Sequence, residues 1–178
     1  MTLKILIIIY SFTTVFPNTK WNFRADGEFL EYPENNMTVN KLTENVQVFN
    51  DSLYLKTDEA YNYKEIDKLY LYGNTIMISN VDTLLCDSMI YWMEKDSLFA
   101  YGNVILKQPD RKLNAGNLNF WGTNGYRGSS FIATNNVSIV DSIRTIKAHQ
   151  ITYNDTSQIM LLLEDANILS NNREVFGD

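Results

Sequence analysis

The sequence predicts an all-β fold built from tandem repeats. Three observations predict it: a β-prone composition, one Asn-anchored segment recurring along the chain, and a two-residue apolar period that slips at the same place in successive copies. Of the 178 residues 45% are apolar and 13% aromatic, including eleven Tyr and nine Phe, a balance that suits the pleated, half-buried surface of strands. Eight Gly and three Pro are too few for a disordered or collagen-like chain.

The repeat is anchored on Asn45 in ENVQVF, Asn74 in GNTIMI, Asn103 in GNVILK, Asn136 in NNVSIV and Asn167 in ANILS, at spacings of 29, 29, 33 and 31 residues. Aligned on the first four anchors, whole columns agree. Ten residues on lie Leu55, Leu84, Leu113 and Ile146. Twelve on lie the small residues Thr57, Cys86, Ala115 and Ala148, and thirteen on Asp58, Asp87, Gly116 and His149. Fifteen on lie Ala60, Met89, Leu118 and Ile151, and seventeen on Asn62, Tyr91, Phe120 and Tyr153, where Asn62 is the exception to an aromatic column. Five columns in one register mark a repeat protein, whose units bury their apolar faces by stacking on one another.

Within a unit the apolar positions alternate, as in a strand. Leu113 and Ala115 alternate with Lys112 and Asn114, and then Leu118 and Phe120 continue on the opposite parity. A one-residue slip at a fixed place implies a β-bulge that keeps side chains pointing inward while the strand bends. Asp58 and Asp87 stand at the slip and are expected to tie up backbone donors freed by the bulge. The segments DKLYLYGN and DSLFAYGN read as a third short strand, with Gly73 and Gly102 allowing a turn into the next Asn. The stretch DEAYNYKEIDKLYLY comes nearest to an amphipathic helix, but the unit alignment makes it two strands and a turn. GTNGYRGSS, Gly122 to Ser130, reads as an extended loop with a turn at Asn124-Gly125.

The first residues stand apart. MTLKILIIIYSFTTVF carries one Lys and an apolar run from Ile5 to about Phe16, short for a bilayer span and suited to a signal-peptide core. Residues 1–19 are expected to act as a cleaved export signal, with a retained N-terminal anchor as the alternative, and residues 20–178 to form the β-repeat domain. No Cys follows the apolar run, which argues against a lipoprotein anchor. At the other end REVFGD stops where a further strand would be starting, so the chain reads as a fragment or as leaving a strand to pair with a partner.

Charge and residue usage narrow the functions. A net charge of −6, becoming −7 without Lys4, argues against nucleic acid and against a basic membrane-surface patch. The single Cys86 has no internal disulfide partner and reads as a small buried apolar residue. His149 is the only His and occupies a repeat column, and no Gly-x-Ser-x-Gly elbow is present. No catalytic residue, metal site or cofactor is expected; carboxylate pairing of Asp58 with Asp87, as in carbohydrate-active repeat enzymes, is the lesser alternative.

The tandem units resemble the OstA-like repeats of lipopolysaccharide-export proteins. GNTIMISNVDTLLCDSMIYWMEKDSLFAYGNVILKQPDRKLNAGNLNFW, Gly73 to Trp121, carries the resemblance best, and it extends over roughly residues 22–178. Gly116 and His149 in place of Asp, and the poorly matching EYPENNMTVNKLT (Glu31 to Thr43), are departures. The resemblance implies antiparallel strands in a folded-over sheet, an elongated β-jellyroll open along one side. It also implies a periplasmic protein that shields the acyl chains of lipopolysaccharide in its groove and joins other export components, or copies of itself, end to end. Leu84, Met89, Leu98, Leu113, Leu118, Ile146 and Ile151 are the expected groove-facing residues, and each would look the same if it packed the domain's own core. A structural β-repeat module that binds proteins through its sheet edges, without lipid, is the second reading.

Overall fold

The computed structural model describes residues 14–15, 20–121, 130–154, 157, 159–170 and 173–177. The leader apart from Thr14 and Val15, and residues 122–129 of the Gly-rich loop, lie outside them. Fourteen strands form one sheet among the described residues. They are β1 (Thr14–Val15), β2 (Lys20–Arg24), β3 (Phe29–Glu34), β4 (Met37–Phe49), β5 (Leu53–Tyr63), β6 (Lys68–Ser79) and β7 (Asp82–Trp92). Then follow β8 (Ser97–Lys107), β9 (Arg111–Trp121), β10 (Ser130–Asp141), β11 (Arg144–Asn154), β12 (Ile159–Leu163), β13 (Ala166–Ser170) and β14 (Arg173–Gly177). From β4 to β11 each strand pairs antiparallel with the next, a simple meander. The only described helix is a 3-10 turn at Lys64–Ile66 between β5 and β6, inside the stretch that came nearest to a helical pattern.

The meander bends along one line. Thr43 pairs with Glu59 and Val46 with Thr57, so Glu44 and Asn45 of β4 stand against Asp58 alone on β5. The same two-against-one step places Gly73-Asn74 against Asp87, Gly102-Asn103 against Gly116, and Asn135-Asn136 against His149. Every one of these paired residues has a positive φ, between 47° and 79°, a region that Gly and Asn tolerate best. Four of the five Asn anchors, Asn45, Asn74, Asn103 and Asn136, are therefore left-handed bulge residues; at the last crossing Glu164 and Asp165 take that place, and the expected anchor Asn167 pairs regularly with Lys147. Gly73-Asn74 and Gly102-Asn103 lie inside the continuous strands β6 and β8, which corrects the expected turn and third strand. The inserted residue bends the strand and flips its parity without reversing the chain.

At both ends the bend breaks a strand in two. β2 pairs with the last residues of β4 and β3 with its first, and the chain crosses the bend at Asp26-Gly27. Likewise β12 and β13 take the two halves of β11, separated by Glu164 and Asp165, both at positive φ. EYPENNMTVNKLT, the poorly matching stretch, is the β3–β4 hairpin, with Asn35-Asn36 at positive φ in its turn.

Two leaves result. One holds β2, Val46–Phe49, Leu53–Thr57, Thr75–Ser79 and Asp82–Cys86, and continues to β13 and β14. The other holds β3, Met37–Thr43, Glu59–Tyr63, Lys68–Tyr72 and Ser88–Trp92, and continues to β12. Leu55 on the first leaf and Leu71 on the second are both fully buried. No other layer exists among the described residues, so the leaves cover each other. Trp21 of the first leaf packs edge-on against Tyr91 of the second, with ring centroids 5.9 Å apart. A buried Leu or Val contributes about 1.5–3 kcal/mol, against about 1 kcal/mol for one hydrogen bond. The apolar columns therefore drive closure, and the bulges determine where the sheet folds.

Candidate functional site

The interior between the leaves is the site the sequence points to. Leu84, Leu113 and Ile146 lie on the first leaf, and Met89, Leu98, Leu118 and Ile151 on the second. All seven are buried, none more than 5% exposed, in one cluster that runs from Trp21 to Ile151. The structure thus brings the seven together as the closed core of the body. The even-numbered strands supply as much of this interior: Leu42, Leu71 and Ala100 before the bulge, Val46, Val104 and Val137 after it. The expected groove residues did not include them, although Val46, Val104 and Val137 stand directly after Asn45, Asn103 and Asn136.

The bend column itself faces outward. Asp58 and Asp87 are exposed and accept side-chain amide hydrogens from Asn74 and Asn103, at 2.8 and 2.9 Å. Asp26 receives Asn45 in the same way at 2.8 Å. The freed backbone groups are met instead by Thr57, whose hydroxyl lies 2.8 Å from the Tyr72 carbonyl and 3.0 Å from that of Gly73. This corrects the role expected of the Asp residues: they hold the Asn side chain, and at the β5–β6 crossing Thr57 serves the backbone. His149 is exposed, and its backbone N–H donates to the Glu164 carbonyl at 2.9 Å.

Packing explains why the bend column changes residue. A Cβ on Gly73 would meet the Asp58 carboxylate at 2.5 Å, and one on Gly116 would meet the Asn135 Cβ at 2.6 Å. At the crossings of β5 with β6, β7 with β8 and β9 with β10 one partner of the facing pair is therefore Gly. Where the left-handed pair is Gly-Asn the preceding strand carries Asp; where it is Asn-Asn the preceding strand carries Gly116.

Polar groups interrupt the apolar interior in two places. Thr57 and Thr75 are buried and share a 3.1 Å hydrogen bond. Asn40 and Asn62, 5% and 4% exposed, stand opposite each other on β4 and β5, and the Oδ1 atoms of both are buried without a partner. Each such acceptor costs about 1–3 kcal/mol. Cys86 is buried, and burial, aided by the Asp87 charge, pushes its thiol up to about 12. Among the described residues no three His, Cys, Asp or Glu side chains are placed to hold a metal ion. No described helix is long and apolar enough to cross a membrane.

A single antiparallel sheet, bent along a line of left-handed bulges and closed over its own apolar face, defines a β-jellyroll of tandem repeats. The family model described as OstA-like protein matches residues 64–176, most of the chain, and the protein belongs to that family. Among solved structures it is similar to LptH of Pseudomonas aeruginosa, described as the LptA-homologous periplasmic component of the lipopolysaccharide transport device. The two share 10% identity with a TM-score of 0.39, over 89% of this chain and 94% of that one. No curated protein matches the chain.

Proposed function

We propose that this protein is a periplasmic component of lipopolysaccharide transport that shields acyl chains between its two leaves. The carrying observation is the apolar interior, formed by one sheet alone and running as one cluster from Leu55 to Ile151, with Thr57 and Thr75 as its polar interruption. Membership in the OstA-like family supports the same reading. A closed single sheet needs no second domain to open: parting the leaves exposes Leu84, Met89, Leu98, Leu113, Leu118, Ile146 and Ile151 together. Apolar area transferred onto acyl chains is worth about 25 cal/mol per Å², so the affinity needs few polar contacts. In this proposal residues 1–19 direct export and residues 20–178 carry the lipid.

Docking to other export components, or to a second copy, is assigned to the β12 edge. β12 pairs only with β11 among the described strands, and Ile159, Leu161 and Leu163 are about half exposed. The opposite edge strand of that leaf, β3, carries Glu31, Pro33 and Glu34, features that discourage strand addition. Ile168 is internal: β13 pairs with both β11 and β14. The β12 edge also favours the second reading, a protein-binding module without lipid.

Photocrosslinking discriminates between them. A photoreactive residue at Leu113 or Leu118 is expected to capture lipopolysaccharide in cells, and a probe at Lys112, on the other face of β9, to capture none. Absence of lipid at every inward position would leave the protein-binding module.

A further inference from the structure

One inward row of the second leaf changes chemistry along its length. Following the register from strand to strand, the row reads Glu31, Asn40, Asn62, Leu69, Tyr91, Leu98, Phe120, Phe131, Tyr153 and Met160. Seven apolar or aromatic residues are preceded by three polar ones. The repeat supplies its own control. At the position of Asn40 the later units carry Leu69, Leu98, Phe131 and Met160, and at that of Asn62 they carry Tyr91, Phe120 and Tyr153. Two columns that are otherwise apolar or aromatic become Asn in the same unit, directly opposite one another.

The pair is built into the interior. Asn40 and Asn62 are each at least 95% buried, with both side-chain carbonyl oxygens unpartnered. Outward along the row, Glu31 is held by Lys64 at 2.6 Å, and Glu65 accepts the Thr38 backbone N–H at 2.9 Å, so the surrounding polar groups of this rim have partners of their own. Inward lie Leu42, Ala60 and Leu69, all buried.

Resting on the lipid-carrier reading above, we infer that Asn40 and Asn62 form a hydrogen-bond-acceptor subsite for an O–H or N–H donor carried near the head of an acyl chain. An unsubstituted hydrocarbon leaves both oxygens unpaired, whereas a β-hydroxyacyl or amide-linked chain supplies the donor while its tail runs over Leu69 and Tyr91. The subsite gives the trough a polarity, with the substituted end of the chain at the β3–β5 rim.

Displacement of a fluorescent fatty-acid probe from the purified protein tests this, using a β-hydroxy fatty acid and the unsubstituted acid of the same length. The wild type is expected to prefer the hydroxy acid about five- to tenfold, the worth of one uncharged hydrogen bond. Asn40→Leu/Asn62→Leu is expected to abolish the preference while binding the plain acid at least as well. Equal binding of both acids by the wild type, or a preference that persists in the double variant, overturns the subsite and leaves the carrier reading standing. Binding of neither acid overturns both. Should the double variant not fold, the wild-type comparison decides alone.

Discussion

Asn74 donates its side-chain amide to Asp58 across β6 and β5 at 2.8 Å, and the adjacent Gly73 leaves the space that the carboxylate occupies. This relationship recurs at Asn103, Asp87 and Gly102, and is inverted at Asn135 and Gly116, where the Gly has changed strands. At these three crossings the bend therefore depends on a pairwise exchange: one side chain and one glycine, in either order.

The exchange predicts non-additivity. Gly102→Asn alone places a side chain against Asp87 and is expected to destabilise by about 1–3 kcal/mol. Asp87→Gly alone loses the Asn103 hydrogen bond, at about 1–2 kcal/mol. The double variant reproduces the arrangement at Gly116 and should cost less than the sum by about 1 kcal/mol or more in a denaturant-melt cycle.

Restoring the repeat consensus at Gly116 should do harm. Gly116→Asp matches Asp58 and Asp87, yet its Cβ would sit 2.6 Å from that of Asn135. Loss of about 1–3 kcal/mol and a lower Tm are expected; an unchanged Tm would contradict the packing account.

Asp67 gives stability a pH dependence of its own. Burial, and then the charge of Glu94 beside it, raise its carboxyl from 3.8 to about 6. A carboxyl whose folded pKa lies above its unfolded value favours folding while protonated, and that contribution is lost as pH rises from about 4 through 6. Asp67→Asn keeps a residue suited to the left-handed backbone there, φ 49°. The variant should gain Tm relative to wild type as pH rises from 4 to 7, with the two closest at the acid end. Glu59, Glu65 and Asp141, whose carboxyls are lowered by Lys41, the Thr38 backbone and the Ile143 backbone respectively, impose the opposite trend on both proteins. The difference between the two melts is therefore the measurement.

Tyr91 joins the leaves through its ring rather than its hydroxyl. It is 3% exposed and packs on Trp21, while its O–H donates to Asp96 at 2.9 Å. Tyr91→Ala should cost about 3–5 kcal/mol by the cavity it leaves, and Tyr91→Phe about 1 kcal/mol. Similar losses for the two would place the contribution in the hydrogen bond.

Cys86 reports on opening. With its thiol buried and pushed up to about 12, it should react with alkylating reagents at pH 8 far more slowly than a free thiol. If acyl chains enter by parting the leaves, labelling during lipid loading should speed up before it is blocked. Equal rates with and without lipid would count against opening at Cys86.

Much of this was legible in the sequence because it is local. The Asn spacing, the parity slip at Asp58 and Asp87, and the inward columns of Leu84, Leu113, Met89 and Leu118 are set by strand periodicity, and the OstA-like resemblance rests on the same pattern. Even the anomaly at Asn62 stood out against an aromatic column. Tertiary structure alone decided what faces what. Gly73-Asn74 reads locally as a turn, and becomes a mid-strand bulge because β5 and β7 hold the chain extended on both sides. Asn40 opposite Asn62, Gly116 opposite Asn135 and Trp21 on Tyr91 depend on register and leaf closure, where the free energy belongs to pairs of residues far apart in the chain and no single position carries it.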